Sequence, residues 1–408
     1  MSRLDVKKLV EMKDRNLRQR VFHCFSILFV LIISIGLLSC NDRKRVANEN
    51  SLQNSLSQSA EFFRIIKGSS FDTLISINNW QAGAAGVEKY PLVPRDCTEI
   101  LKRDKFAIPI PIKSSISMST TYLSHLKLLE CEEVVVGLSG VNFVYDSLYN
   151  ERIKGGLIAE IGSDVAPDYE KILSLHPDVV LAYAVAGADN TYIQKLRTLG
   201  VRVITINDYL ENNPLGKLEY IKLFAHICGK NSLADSLYNE RVNEYIGIVN
   251  SIKGKISEPK KVLINLPFRD IWYVPGTKNY TSILISDAGG KILGGVEGET
   301  ISSQESFEKM YTLGKEADVW IHLNSLSTIS GVLNENPLYE NLPVVKKGML
   351  FNNIKRNTPK GGSDFWESGA VEPAEILKDL ITIFHPDIAK ESFGARPLKY
   401  YIKLSDIK

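Results

Sequence analysis

Apolar residues along the chain fall into short runs that alternate with stretches of helical spacing, and the alternation begins in earnest at Phe106. Phe106–Ile112 is an apolar run interrupted by Pro109 and Pro111, which predicts an edge strand. Within Thr120–Glu130, Tyr122, Leu123, Leu126 and Leu129 recur at helical spacing, and Val134–Gly137 has the length of a buried strand. Pro167–Leu175 predicts a helix with proline in its first turn, where the missing N–H has no intrahelical partner to lose. Asp178–Tyr183 predicts a buried strand, Tyr192–Leu199 a helix stopped by Gly200, and Val201–Ile206 a further strand. Strands and helices alternating at this spacing predict an α/β fold with a parallel sheet covered on both faces.

Leu215–Ile252 then lacks any strand signal. Gly229 and Asn231 divide it, with Ser232 as the expected N-cap of the second part. There Tyr238, Val242, Tyr245, Val249 and Ile252 recur at spacings of four and three. About twenty helical residues reach about 30 Å, the diameter of a small domain, so this helix can bridge two lobes. The α/β pattern restarts with strands Lys261–Leu266 and Ile271–Val274 and helix Tyr280–Ala288, which stops at Gly289-Gly290. Helix Phe307–Leu313, strands Asp318–Leu323 and Met349–Asn352 and helix Pro373–Phe384 complete it. A shared motif stands on either side of the bridging helix. Glu170-Lys171-Ile172-Leu173-Ser174-Leu175 precedes Asp178-Val179-Val180, and Glu308-Lys309-Met310-Tyr311-Thr312-Leu313 precedes Asp318-Val319-Trp320. Two similar lobes are expected.

The N-terminal segment is of another kind. Met1–Arg20 is polar and basic, Val21–Leu38 is uncharged and apolar, and Leu37-Leu38-Ser39-Cys40 follows. A basic flank, an apolar core and small residues before a cleavage point predict a signal peptide over residues 1–39. Retention of Val21–Leu38 as a membrane span is the alternative, its length being near the lower limit. Met12 gives a more usual signal length and is a second candidate start. Residues 40–60, rich in Asn, Ser and Gln, predict a flexible tether. Residues 61–105, with a Gly/Ala patch at Ala82–Gly86, predict a small extension packed on the main body.

Charge and cysteines narrow the function. The segment 1–39 holds seven Lys/Arg and three Asp/Glu, so removing its +4 from the net +2 leaves −2 and no nucleic-acid footprint. Cys97, Cys131 and Cys228 remain after Cys40. A Cys97–Cys131 disulfide is one possibility, and buried free thiols at Cys131 and Cys228 the simpler reading. The six histidines are scattered, which argues against a directly bound metal ion. The chain lacks a G-x-S-x-G elbow, a P-loop and a G-x-G-x-x-G after a strand, which argues against an α/β enzyme.

Asp178–Asn207 resembles the region of vitamin B12- and ferric-siderophore-binding proteins in which a Pro-Asp strand, a loop and a helix ending Leu-Gly lead to another strand. Leu284–Gly290 (LISDAGG), Leu342–Phe351 (LPVVKKGMLF) and Phe384-His385-Pro386 resemble later motifs of that family, in the same order. Leu37–Cys40 resembles the bacterial lipobox, whose Cys is diacylated, and residues 60–105 are similar to an extra segment of Bacteroidetes-type relatives. The resemblance implies two Rossmann-like α/β lobes joined by a long rigid helix: an N-terminal lobe over 106–214, a helical linker over 215–257, a C-terminal lobe over 258–390 and a tail over 391–408. It implies a monomeric, non-enzymatic solute-binding lipoprotein of the cell envelope, anchored through Cys40. Such a protein has no cofactor of its own. It captures a ferric siderophore, haem or cobalamin and hands it to an ABC permease dimer with ATPase subunits. A storage or sensor lipoprotein of the same fold is the competing class.

Site residues follow from that resemblance and from strand ends. Glu170 and Glu308 match the two glutamates that dock on the permease, although an acidic residue in a first turn also complements the helix dipole. Ligand candidates in the first lobe are Ser115, Ser117, Thr120, Tyr145 and Tyr183. In the second they are Arg269, Trp272, Asn324, Arg356 and Trp366. Aromatic walls suit flat macrocycles and arginines suit anions, while core packing is the alternative for any single Tyr or Trp.

Overall fold

A computed structural model of the chain describes residues 59–78, 86–183 and 191–406. The predicted signal peptide, Cys40 and most of the tether lie outside the described residues. Among the described residues no helix is long and apolar enough to cross a membrane.

The extension forms a four-stranded sheet in the order β1 (Phe63–Ile66), β2 (Asp72–Asn78), β3 (Gly86–Pro94) and β4 (Ile108–Ile110). The proline-broken run at 106–112 is therefore an edge strand, as expected, but of this sheet and not of the first lobe, because β4 pairs with β3. Polar bonds fasten the extension to the lobe behind it. Arg197 makes a forked pair with Glu88 at 2.7 and 2.9 Å, and Ser76 Oγ donates to the carbonyl of Thr205 at 2.7 Å.

The first lobe is a parallel sheet in the order β7-β6-β5-β8-β9. In chain order its elements are β5 (Ser115–Ser117), α1 (Thr121–Leu128), β6 (Val135–Leu138), α2 (Ser147–Lys154), β7 (Ala159–Glu160), α3 (Tyr169–Ser174), β8 (Val179–Ala182), α4 (Thr191–Thr198) and β9 (Val203–Thr205). Successive side chains of a strand point to opposite faces, and β8 shows the result. Val179 and Leu181 join the core beneath α1, while Val180 and Ala182 join the core beneath α3 and α4.

Two long helices follow, α5 (Pro214–Cys228) and α6 (Asn231–Ile252). Asn213 caps α5 by accepting from Leu215 N at 2.9 Å, and Gly229, at φ +72, ends it in the left-handed region that favours glycine. The expected cap Ser232 lies inside the first turn of α6, whose preceding residue is Lys230. Along helix α6, Ala234 and Tyr238 are buried in the first core and Tyr245, Ile248 and Ile252 in the second.

The second lobe repeats the plan with strands ordered β12-β10-β14-β15-β16. Its elements are β10 (Lys260–Ile264), β11 (Ile271–Val274), α7 (Tyr280–Asp287), β12 (Gly290–Ile292), β13 (Ser303–Ser306), α8 (Phe307–Gly314), β14 (Val319–Ile321), β15 (Leu350–Asn352), α9 (Pro373–Phe384) and β16 (Ile402–Lys403). Strand β11 leaves the main sheet and pairs antiparallel with β13. Within the C-terminal tail β16 pairs antiparallel with β15, and Asp379 of α9 accepts from the backbone N–H of Lys399 and Tyr400 at 2.9 and 2.7 Å.

The sequence repeat has a structural meaning. Asp178, just before β8, accepts from Lys113 N at 2.6 Å, and Asp318, just before β14, accepts from Lys261 N at 2.9 Å. Each aspartate ties its strand to the start of the neighbouring strand, β5 or β10.

Candidate functional site

The helix α5 is apolar over most of its length and is driven inward, yet it carries Lys217 and Glu219 with it. A buried charge requires a partner. Lys217 Nζ lies 3.3 Å from Asp208 Oδ2, both groups almost wholly shielded. Its remaining sides face two rings of the other lobe, with centroids at 5.6 Å for Tyr280 and 5.8 Å for Trp366. Above this pair opens a cavity of about 520 Å³ between the lobes. Tyr122, Tyr183 and Tyr209 line it from the first lobe, Tyr280 and Trp366 from the second. Burial pushes the Tyr183 phenol up to about 12 and raises Tyr209 and Tyr280 as well, so these rings present neutral hydroxyls at physiological pH.

A second depression of about 480 Å³ adjoins it and shares Ser119 and Tyr183. It lies over the carboxyl ends of β5, β6, β7 and β8, where open α/β sheets bind ligands. Glu160 there accepts from the backbone N–H of Gly140, Val141 and Gly162 at 3.1, 2.9 and 3.0 Å. Asp164 lies beside Tyr183 in this depression, and its charge adds to the rise of the phenol.

The rim of the cavity also holds the start of the described chain. Glu211, which lines the cavity, accepts from Phe62 N and Glu61 N at 3.0 Å, and Glu219 accepts from Ser59 N and Ala60 N at 2.6 and 2.8 Å. Burial pushes Glu211 up to about 7, against the lowering effect of the two N–H donors.

A latch closes one side. Glu367 is buried and accepts from Tyr145 N and Asp146 N, each at 2.9 Å, across the lobes. Beside it Gly362 lies so close to the first lobe that a Cβ would stand 1.9 Å from the Phe143 carbonyl oxygen. Arg356 pairs with Asp364 at 2.5 Å and covers the Tyr145 ring. Burial pushes Glu367 up to about 7, its two N–H donors opposing and Asp364 and Asp146 adding to the rise.

Of the expected ligand residues, Tyr183 and Trp366 line the main cavity and Thr120 the adjoining depression. Tyr145 and Arg356 belong to the latch. Ser115 and Ser117 are not in a loop: they lie within β5, fully buried, donating to the carbonyls of Val134 and Ser119. The first strand of the lobe is β5, so residues expected after a strand fall inside one. Trp272 is also core, stacked on Trp320 at 5.9 Å with its Nε1 donating to Ile264 O. Arg269 lines a separate hollow of the second lobe together with Glu308, and Asn324 is exposed away from the cavity. Glu170 and Glu308 occupy equivalent exposed places, the first turns of α3 and α8, whose caps Asp168 and Ser306 accept from Lys171 N and Lys309 N. The three cysteines outside the N-terminal segment are free thiols, with Cys131 and Cys228 buried.

Asp208, Lys217, Tyr209 and Tyr280 escaped sequence reasoning. Charges in the apolar stretch 215–228 were the available signal for Lys217.

Residues 116–352 match the periplasmic binding protein family. An uncharacterized lipoprotein of Methanocaldococcus jannaschii is 27% identical over 321 residues, 76% of this chain and 73% of the relative. The iron-uptake system-binding protein of Bacillus subtilis is 23% identical over 207 residues, 50% of this chain and 63% of that protein. A solved periplasmic haem-binding protein from Pseudomonas aeruginosa is alike in fold, with a TM-score of 0.53 at 18% identity, covering 73% of this chain and 99% of that one. With the match spanning both lobes and the helix between them, the chain belongs to the periplasmic binding protein family.

Proposed function

We propose that this chain captures a metal chelate (a ferric siderophore, haem or a corrinoid such as cobalamin) between its lobes and delivers it to an ABC permease dimer driven by ATPase subunits. The observation that carries the reading is the inter-lobe cavity, walled by aromatic rings from both lobes, which is the surface a bulky chelate can stack on. The iron-uptake and haem-binding proteins that the chain resembles support the same class of cargo. The protein acts as a monomer without catalytic chemistry. Cys40 carries the lipid that holds it to a bacterial membrane in the cell envelope, and Glu170 and Glu308 are its docking points.

Purification of the mature protein from its native host, followed by an absorption spectrum and by titration with cobalamin, haem and ferric siderophores, tests this. A bound chromophore or saturable binding is expected. Absence of binding to all three classes overturns the reading.

A further inference from the structure

We infer that the cleft selects its chelate by charge, taking uncharged or cationic chelates and refusing anionic ones, with Asp208 setting the preference through its hold on Lys217. The inference rests on the cargo reading above and narrows it.

The groups around the cavity and the adjoining depression are unequal in sign. Asp208, Glu211, Glu160 and Asp164 supply carboxyl groups, and Lys217 is the one Lys or Arg among the described lining residues. The carboxyl groups are fixed by their own bonds: Glu211 to the N–H groups of Glu61 and Phe62, Glu160 to those of Gly140 and Val141, Asp164 to that of Val165.

Lys217 is not available to an incoming anion. It is buried, paired with Asp208 at 3.3 Å and roofed by Tyr280 and Trp366. Drawing its ammonium toward a ligand carboxylate would strand the Asp208 carboxylate in a shielded site, and breaking a buried pair costs more than a new exposed contact returns. The arginines that could make forked bonds to an anion stand elsewhere, Arg356 against Asp364 and Tyr145, Arg269 in another hollow. The ring faces of Tyr280 and Trp366 attract cations and repel anions through their quadrupoles. Repulsion from the Glu160 and Asp164 carboxylates, which have no Lys or Arg among the described lining residues beside them, adds to this in a site of low dielectric.

The test uses the mature protein and chelates matched in shape but not in charge, followed by quenching of tryptophan fluorescence. The flat pair is uncharged dicyanocobinamide and haemin with its two propionates. The compact pair is an uncharged ferric trihydroxamate and a trianionic ferric tris-catecholate. In whichever pair binds, the uncharged member is expected to bind at least about tenfold more tightly at physiological ionic strength. Added salt is expected to narrow the gap by screening the carboxylates. Asp208→Asn, which frees Lys217, is expected to improve binding of the anionic member by about tenfold or more. The salt series on the wild type stands even if that variant folds poorly. Equal or tighter binding of the anionic member by the wild type overturns the selection and leaves the cargo reading standing. Failure of all four probes overturns both.

Discussion

The guanidinium of Arg356 lies 4.6 Å from the ring centroid of Tyr145, one residue from each lobe. Sequence reasoning places both beside the ligand. Instead they occupy each other, and with Glu367 and Gly362 they close one flank of the cleft. This flank is held through backbone N–H groups, which substitution of Tyr145 alone does not remove.

Gly362→Val places a branched side chain where even a Cβ would meet the Phe143 carbonyl oxygen at 1.9 Å. Overpacking of this kind costs about 1–3 kcal/mol. Because Phe143 is exposed at the end of a single 3-10 turn (Val141–Phe143), the expected outcome is an opened latch in a folded protein. Hydrogen exchange should quicken at Tyr145 and Asp146 and remain slow in β8 and β14. Protection at Tyr145 unchanged from wild type would refute the latch.

Glu367 gives the latch a pH signature. Burial raises its folded value from the ordinary 4.5 to about 7. Between those values the folded protein keeps a proton that the unfolded chain has released, so this group's stabilisation is complete below the ordinary value and is lost as pH rises through about 7. The loss is at most on the order of 3 kcal/mol. Buried His125 and His322, pushed down to about 4 by desolvation, work in the opposite sense, losing stabilisation as pH falls. They are shared by wild type and Glu367→Gln and cancel in the difference. Urea unfolding from about pH 5 to about pH 8 should show the wild type losing more stability than the Gln variant. Parallel profiles would remove Glu367 from the account.

Trp272 and Trp366 should part company. Trp272→Ala empties a fully buried site stacked on Trp320, with an expected cost of about 3–5 kcal/mol and no selective effect on binding in the protein that remains folded. Trp366 is 43% exposed at the cavity, so Trp366→Ala should leave Tm nearly unchanged and weaken ligand binding by about tenfold. Thermal melts and fluorescence titration of the two variants separate the roles.

Glu170→Ala with Glu308→Ala should spare ligand affinity and abolish uptake in cells carrying the cognate permease. Each glutamate lies in a first turn already capped by Asp168 or Ser306, so the double variant should lose at most about 1 kcal/mol per site of stability from the helix dipole. Unimpaired uptake would strip both residues of the docking role.

Much of the fold is legible because its signals are local. The alternation of runs and helical spacing marks β8, α4 and β9, and the repeated Asp before β8 and β14 reflects one clamp used twice. The first lobe's central strand escapes because Ser115-Ile116-Ser117 holds one large apolar residue, and its serines are buried by hydrogen bonding to carbonyls. The apolar run at 106–112 is stronger yet belongs to the extension. The cavity is legible only in part for a different reason: Asp208, Lys217, Tyr280 and Trp366 come from separate places in the chain, and no spacing records their meeting. Trp366 is marked by its place in a late loop, and Lys217 and Glu219 leave a trace as charges where an apolar face is needed.

Helix α5 turns Lys217 toward the cleft, Glu219 toward Ser59 and Ala60, and His226 toward Asp72 of the extension. The cavity wall, the segment that begins at Ser59 and the extension are thus all held by a single rod about four turns long. A displacement at Ser59 or Ala60 therefore pulls on the same helix that sets Lys217 at the wall of the cavity.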